Sequence, residues 1–395
     1  MIATRGYLSS IVSHLSRAAR PLSIAVSTDS FHRYPFYSPR FWHGMRPAGW
    51  WKLLRDGKFR IHPARLPMAV AVSIATVVNT GLAAIQHVFY SRKLLKAELQ
   101  GPPLFIIGHW RSGTTLLHEL LVLDARLSSP TTYQCFAPHH FLVTAWFFRI
   151  FGSWLLPSQR PMDNMAAGWD RPQEDEFAIV NLGMPSPYRR VAFPNNPPPD
   201  LEYLDTETLP EAERKKWTTA LDRFLRTVSL RTGRPLVVKS PTHTGRIATL
   251  AKTFPGAKFI HISRDPRSLF PSTVRLWKSL DEAQALQLAN EQDLESYVVD
   301  CFRRMYDAFH RDREQIEASH LIDIRYDDLI ADPVGQLERI YSHFKLGDFD
   351  YVRDALTQWS QTQHREYKTN QHKLPLAQET MIKQAWGDYF DRYGY

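Results

Sequence analysis

The sequence predicts an α/β fold of three layers (αβα) around a central parallel sheet, with a largely helical addition at the N-terminus. Three observations support this. First, four short apolar runs have strand length: Leu104 to Ile107, Pro235 to Lys239, Ala257 to Ile262 and His320 to Ile324. Second, the first three each lead through a loop into a helical pattern, and such repeats join parallel strands by right-handed crossovers. Third, the 395 residues, 44% of them hydrophobic, suffice for one large domain with additions.

The boundaries follow the composition. Residues 1–30 form a basic extension, 31–100 an aromatic and basic arm with an apolar helix, and 101–395 the main domain. Of the 49 Lys and Arg, 11 fall in residues 1–65, against Asp29 and Asp56; the remainder carries 38 of each sign. The net charge of +9 therefore belongs to the N-terminal arm. A local basic arm suits an anionic membrane surface better than nucleic acid, and no nucleic-acid motif accompanies it. Two cysteines, Cys135 and Cys301, provide neither a disulfide framework nor a metal-ligand set. A reducing, cytoplasmic setting follows, with membrane association as an open addition.

Taken in order, residues 1–30 have Arg5, Arg17 and Arg20, many serines and one acid, Asp29. They read as a transit peptide or as a loose or packed basic arm. Residues 31–65, with Trp42, Trp50, Trp51 and Phe59, read as a folded arm or an interfacial segment. Residues 66–91 contain no Asp, Glu, Lys or Arg. Three readings stay open for them: a helix packed on the domain, a helix lying on a membrane, or a true span. Residues 141–156 are apolar almost all round except Arg149, and are too short to cross a bilayer. They predict a buried helix, the wall of an apolar acceptor pocket, or a membrane-facing surface. A helix is expected over 163–182 with Pro172 in its first turn, a loop over 183–200, and an amphipathic helix over 210–230. Further helices are expected from 247, 266, 290 and 334, and a closing one from about 377.

The stretch Leu104-Phe-Ile-Ile-Gly-His-Trp-Arg-Ser-Gly-Thr-Thr-Leu-Leu-His118 carries the chemistry. A buried strand, a glycine loop and a helix start converge N–H groups and the positive end of a helix dipole on one point, which makes an anion site. The Gly108-x4-Gly113 spacing is P-loop-like, yet Thr114 stands where a Mg-ATP loop has Lys. The basic residue lies inside the loop, at Arg111. In an α/β sheet, functional residues gather at the carboxyl ends of strands, where Arg111, Lys239 and Arg264 fall. Arg264 can fork onto a phosphate, and Ser272 lies about two helical turns beyond it.

These motifs are similar to those of the sulfotransferases that use 3′-phosphoadenosine 5′-phosphosulfate. The resemblance rests on Arg111-Ser-Gly-Thr-Thr115 after a strand and Ser263-Arg-Asp-Pro-Arg-Ser-Leu-Phe-Pro-Ser272 further on. It extends over roughly residues 100–375 and is strongest to the bacterial-type family. It implies that Arg111, Ser112, Gly113, Thr114 and Thr115 hold the phosphosulfate, and that Arg264 and Ser272 hold the 3′-phosphate. A late basic loop with Lys368, His372 and Lys373 supplies candidates to cover the nucleotide.

The implied reaction is in-line transfer of a sulfuryl group to an acceptor hydroxyl or amine, without a metal. Arg111 fits the leaving side, with Lys239 as helper. The expected base is Glu174, from the cluster Glu174-Asp175-Glu176; on one helix, Glu174 and Glu176 point about 200° apart, so at most one faces the site. The alternative is a solvated acidic first turn. His139 and His140 are further candidates for the base, and His109 reads as a structural hydrogen-bonding residue. An apolar acceptor, lipid or aryl, is favoured over a glycan. An atypical P-loop kinase, or a membrane-associated nucleotide-binding module without turnover, remain the alternatives.

Overall fold

The computed structural model describes residues 35, 37–152, 155–156, 168–362 and 374–395. The basic extension 1–30 and the late loop with Lys368, His372 and Lys373 lie outside the described residues.

Four parallel strands form the sheet, in the order β2-β1-β3-β4: β1 is Leu104–Ile107, β2 Val237–Lys239, β3 Lys258–Ser263 and β4 Leu321–Arg325. Side chains alternate between the two faces of each strand. Phe105, Ile107, Val238 and Phe259 enter one core, with Phe302, Met305 and Phe309 of the helix Leu294–Asp312. Leu104, Ile106, Val237, Ile260 and Ile322 enter the other, with Leu116, Leu117 and Leu120 of the helix Thr114–Leu121 and Leu337 and Ile340 of the helix Pro333–Phe344. Helices therefore cover both faces, as parallel strands require.

The chain leaves β1 for β2 on one side and reaches β3 on the other. The order thus reverses between β1 and β3, and ligands of such sheets bind at the carboxyl ends beside that crevice. The register pairs Ile106 with Lys239 and Ile107 with His261, so β2 ends one residue before β1 and β3 two residues beyond it, with all three carboxyl ends on the same side of the sheet.

The arm shares the core of the domain. Trp42 is fully buried, and its indole Nε1 donates to the carbonyl of Gln284 at 2.8 Å. Trp50 and Leu53, on the helix Pro47–Asp56, lie in the same cluster. The apolar segment forms one helix, Leu66–Leu95, long and apolar enough to cross a membrane.

Two expectations about local structure need correction. The predicted helix over 163–182 is, among the described residues, helical only at Glu176–Asn181. Residues Arg171 to Gln173 run extended instead, because Thr132 N–H donates to Arg171 O and Gln173 N–H to Pro130 O, each at 2.9 Å. Pro172 lies between them, where its missing N–H costs nothing. Residues 183–200, expected as loop, contain a 3-10 turn at Pro187–Ala192 started by Ser186, whose hydroxyl accepts from Tyr188 N–H.

Candidate active site

The loop after β1 is held by steric necessity at its glycines. At Gly108, φ is +144°, and a Cβ there would stand 2.5 Å from the carbonyl oxygen of Ile262. At Gly113, φ is +105°, and a Cβ would collide with the ring of Tyr326. Both positions demand glycine. Gly108 N–H donates to Thr244 Oγ1 at 2.7 Å, which ties the loop to the segment after β2. Arg111 adopts φ +69°, in the left-handed region that non-glycine residues seldom enter.

Two features fit this loop to an anion. The helix Thr114–Leu121 begins without a side-chain cap, so its first N–H groups face the loop. The buried Ser112 hydroxyl has no hydrogen-bond partner. An oxyanion at that point would satisfy both.

Arg111 points away from the strand and toward the second predicted site. Its Nε donates to Ser272 Oγ at 2.9 Å. Ser272 sits on the helix Pro266–Gln284, near the end of β3. Arg264 Nη1 donates to the carbonyl of Arg111 at 2.8 Å, and its guanidinium lies 4.1 Å from the centre of the Tyr326 ring. The two anion sites read separately from the sequence are therefore one continuous strip.

At the other end of the strip stands Lys239, at the tip of β2. Its ammonium lies 3.3 Å from Thr115 Oγ1 and donates to Glu174 Oε1 at 2.8 Å. Tyr188 OH donates to Glu174 Oε2 at 2.5 Å, and Trp110 Nε1 donates to Tyr188 OH at 2.6 Å. Burial, then the Glu174 charge, pushes the Tyr188 hydroxyl well above its usual range, so it stays a neutral donor.

The neighbouring acids are not a solvated first turn: Glu174, Asp175 and Glu176 are all buried. Because Glu174 precedes the helix, it and Glu176 are not constrained by the expected 200° separation. Asp175 Oδ1 accepts from Ser240 Oγ, and its Oδ2 from His243 Nε2, each at 2.8 Å. Glu176 forms a two-pronged pair with Arg246, at 2.6 and 3.1 Å. Burial alone would raise both carboxyls. Their partners together outweigh it, His243 with Ser240 and Arg246 at Asp175, and Arg246 with His243 and Ser186 at Glu176, holding both below the ordinary range. The acidic triplet is thus matched, residue by residue, to the segment Lys239–Arg246.

The histidine candidates are engaged elsewhere. His139 Nε2 donates to the carbonyl of Asn181 at 3.1 Å, and His140 Nε2 to Asn79 Oδ1 at 3.0 Å. Burial lowers both to about 4, so both are neutral and weakly basic. His139 lines a pocket of about 410 Å³ against the helix Leu66–Leu95, with Arg46, Thr80 and His87. His109 is fully buried, is lowered to about 3 by burial, and donates from Nδ1 to the carbonyl of Trp110.

Sequence reasoning missed Tyr188, His243 and Arg246. A signal existed for the last two, in the match of acids at 174, 175 and 176 to basic groups at 239, 243 and 246. None marked Tyr188, a tyrosine in a proline-rich stretch.

A strand, a glycine loop with an internal arginine, and an arginine-serine pair beside it form the arrangement expected of a phosphosulfate-type transferase. Residues 102–351 match the model of the sulfotransferase family. The chain belongs to that family and is a sulfotransferase, and transfer from 3′-phosphoadenosine 5′-phosphosulfate is the family's general reaction. Among its relatives are the omega-hydroxy-beta-dihydromenaquinone-9 sulfotransferases Stf3 of Mycobacterium bovis and Mycobacterium tuberculosis. Each is 41% identical over 369 residues, covering 93% of this chain and 95% of the relative. Similar solved structures include sulfotransferase STF9 from Mycobacterium avium, with TM-score 0.61 at 18% identity, covering 88% of this chain and 96% of that one. Sulfotransferase STF1 from Mycobacterium tuberculosis has TM-score 0.60 at 17% identity, with 90% and 94% covered. These two share the fold.

Proposed function

We propose that this sulfotransferase modifies a hydroxyl on a long apolar lipid, of the class of hydroxylated isoprenoid quinones, with Glu174 as the base. The observation that carries the base assignment is the Lys239 ammonium, held between Glu174 Oε1 and Thr115 Oγ1 at the start of the loop helix. It couples a buried carboxylate to the anion site in one step. The acceptor class is supported by the Stf3 relatives, whose name specifies an omega-hydroxylated menaquinone.

When bound, the donor supplies the sulfuryl group and departs as adenosine 3′,5′-bisphosphate. Glu174 accepts the proton of the acceptor hydroxyl. Lys239 and Tyr188 occupy one lone pair on each carboxylate oxygen and leave others open, enough to aim the base without blocking it. The loop N–H groups, Ser112 and Thr115 bind the 5′-phosphate and its departing charge. Arg264, Ser272 and Arg111 hold the 3′-phosphate end, with Arg111 spanning the two sites. Lys373 remains a candidate to cover the nucleotide. These cations supply the positive charge, and no metal is required. Two free, buried cysteines suit a cytoplasmic setting.

The test is a transfer assay with labelled donor on an omega-hydroxylated isoprenoid quinone, an aryl alcohol and a glycan, with and without a chelator. Label is expected in the quinone, undiminished by chelation. Label in the glycan alone would overturn the acceptor assignment, and loss on chelation would overturn the metal-free reaction.

A further inference from the structure

The helix Leu66–Leu95 packs on the domain yet exposes a large apolar face. Thr76, Asn79 and Gln86 are its buried polar residues and face the protein. Asn79 Nδ2 donates to the carbonyls of His43 and Met45, at 2.6 and 2.8 Å. Gln86 Oε1 accepts from Leu142 N–H, and Ser73 Oγ from Trp50 Nε1, each at 2.9 Å. Ala69 and Val72 pack into the core, but most of its large apolar residues face outward. Leu66, Val70, Ile74, Val77, Ile85 and Val88 are all exposed, Val77 by 66% and Val88 by 74%. Their spacing of three or four residues, or a doubled step across Gly81, draws one stripe along the helix. The helix Phe141–Phe151 packs against this one and adds exposed Trp146, Phe147 and Ile150. Monomeric soluble proteins seldom expose a contiguous apolar face of this extent.

Charge says what covers it. Lys58, Arg60 and Arg65 stand at one end of the helix, and Arg92, Lys93 and Lys96 at the other, with no acid between residues 57 and 97. Arg149 lies exposed on the helix Phe141–Phe151. An apolar stripe with basic ends and aromatic neighbours is the composition of an interfacial helix on anionic lipid. We propose that this face docks the enzyme on the surface of an anionic bilayer, with the helix lying in the membrane plane.

A crossing orientation conflicts with the packing. The 30-residue helix is ~45 Å long, enough for a hydrocarbon core of ~30 Å. Its bonds from Ser73 to Gln86, however, fasten ~20 Å of that length to the folded body. To cross, the helix would have to release Asn79 and Gln86 into hydrocarbon, where unpaired polar groups cost several kcal/mol each.

The test needs neither donor nor acceptor, so its outcome is independent of the acceptor reading. Full-length protein is floated with vesicles of phosphatidylcholine alone or mixed with phosphatidylglycerol, at low and high salt. Flotation with the anionic vesicles is expected, weakened by salt. Ile74→Glu with Val77→Glu, on exposed positions, is expected to reduce partitioning more than about tenfold. Arg92→Gln with Lys93→Gln should reduce it about thirtyfold on anionic vesicles only. Retained binding of adenosine 3′,5′-bisphosphate shows that each variant is folded. Wild-type protein that stays unbound, or apolar-face variants that bind equally well, would overturn the proposal. So would a solution dimer that the glutamate pair dissociates without any vesicle binding by the wild type, since the covering partner would then be a second copy.

Discussion

The Lys239 ammonium and the Glu174 carboxylate meet at 2.8 Å, with both side chains nearly withdrawn from solvent. A buried carboxylate gripped by a lysine at one oxygen and a tyrosine at the other is suited to accept a proton, because its partners fix its aim. Glu174→Gln preserves the shape and a hydrogen bond to Tyr188 while removing the basicity. Turnover is expected to fall by about 10²–10⁴-fold, with affinity for adenosine 3′,5′-bisphosphate retained. Single-turnover kinetics beside calorimetric titration separates the two; unchanged turnover would remove Glu174 from the role of base.

Arg264 and Ser272 meet Arg111 from two directions, by the Arg264 bond to its carbonyl and the Ser272 bond to its Nε. If this cluster holds the 3′-phosphate, its loss should act on that phosphate alone. Arg264→Ala is expected to weaken adenosine 3′,5′-bisphosphate by about 10–100-fold, the range of a charged hydrogen bond. Adenosine 5′-phosphate should be nearly unaffected. Equal weakening of both ligands would place Arg264 elsewhere. Ser272→Ala, which loses a single hydroxyl, should cost about two- to tenfold on the same comparison.

Gly113 tests the loop. Its φ of +105° and the closeness of Tyr326 leave no room for a methyl group. Gly113→Ala must shift the helix start or the tyrosine, and catalysis tolerates displacements of less than about 1 Å. Transfer is expected to fall by more than about 10²-fold. Gly81→Ala, in open space on the exposed helix, is the control and should leave transfer unchanged.

The strands and their crossovers were legible because a fully buried parallel strand is a short apolar run, and β1 to β4 lie within a residue or two of those runs. Arg111, Lys239 and Arg264 could be placed at the carboxyl ends of strands because topology alone puts them there. The region around Glu174 was not legible. Pro172 and three acids spell a helix start locally, but pairing of residues 171–173 with 130–132 overrides that signal through contacts distant in sequence. The apolar helix was ambiguous for a related reason: composition reports how apolar residues 66–91 are, but not which face the body covers. Only Asn79 and Gln86, turned inward onto backbone groups, decide that.

Acid should expose the paired carboxylates beneath the site. Arg246 is fully buried, bonded to both oxygens of Glu176, to the carbonyl of Tyr203 at 2.6 Å, and stacked over Trp217. Glu176→Gln leaves that guanidinium buried without its counter-charge, and breaking such a pair costs about 3–5 kcal/mol at neutral pH. The sign of its pH dependence follows from the direction of the shift. Burial would raise the Glu176 carboxyl, but Arg246, with His243 and Ser186, together outweigh it and hold the folded value below the unfolded one. The stabilisation is therefore present above the unfolded carboxylate pKa, about 4.3, and is lost as pH falls through the folded value. Asp281 has the opposite sign: burial pushes it up to about 6 despite Arg190, so its contribution is present at low pH and lost as pH rises through that value. The wild-type pH curve mixes the two, whereas the difference between wild type and Glu176→Gln isolates the first. Urea denaturation should show a wide gap between the proteins at pH 7 that narrows as pH drops below about 4. A gap constant across that range would mean that Glu176 acts through packing alone.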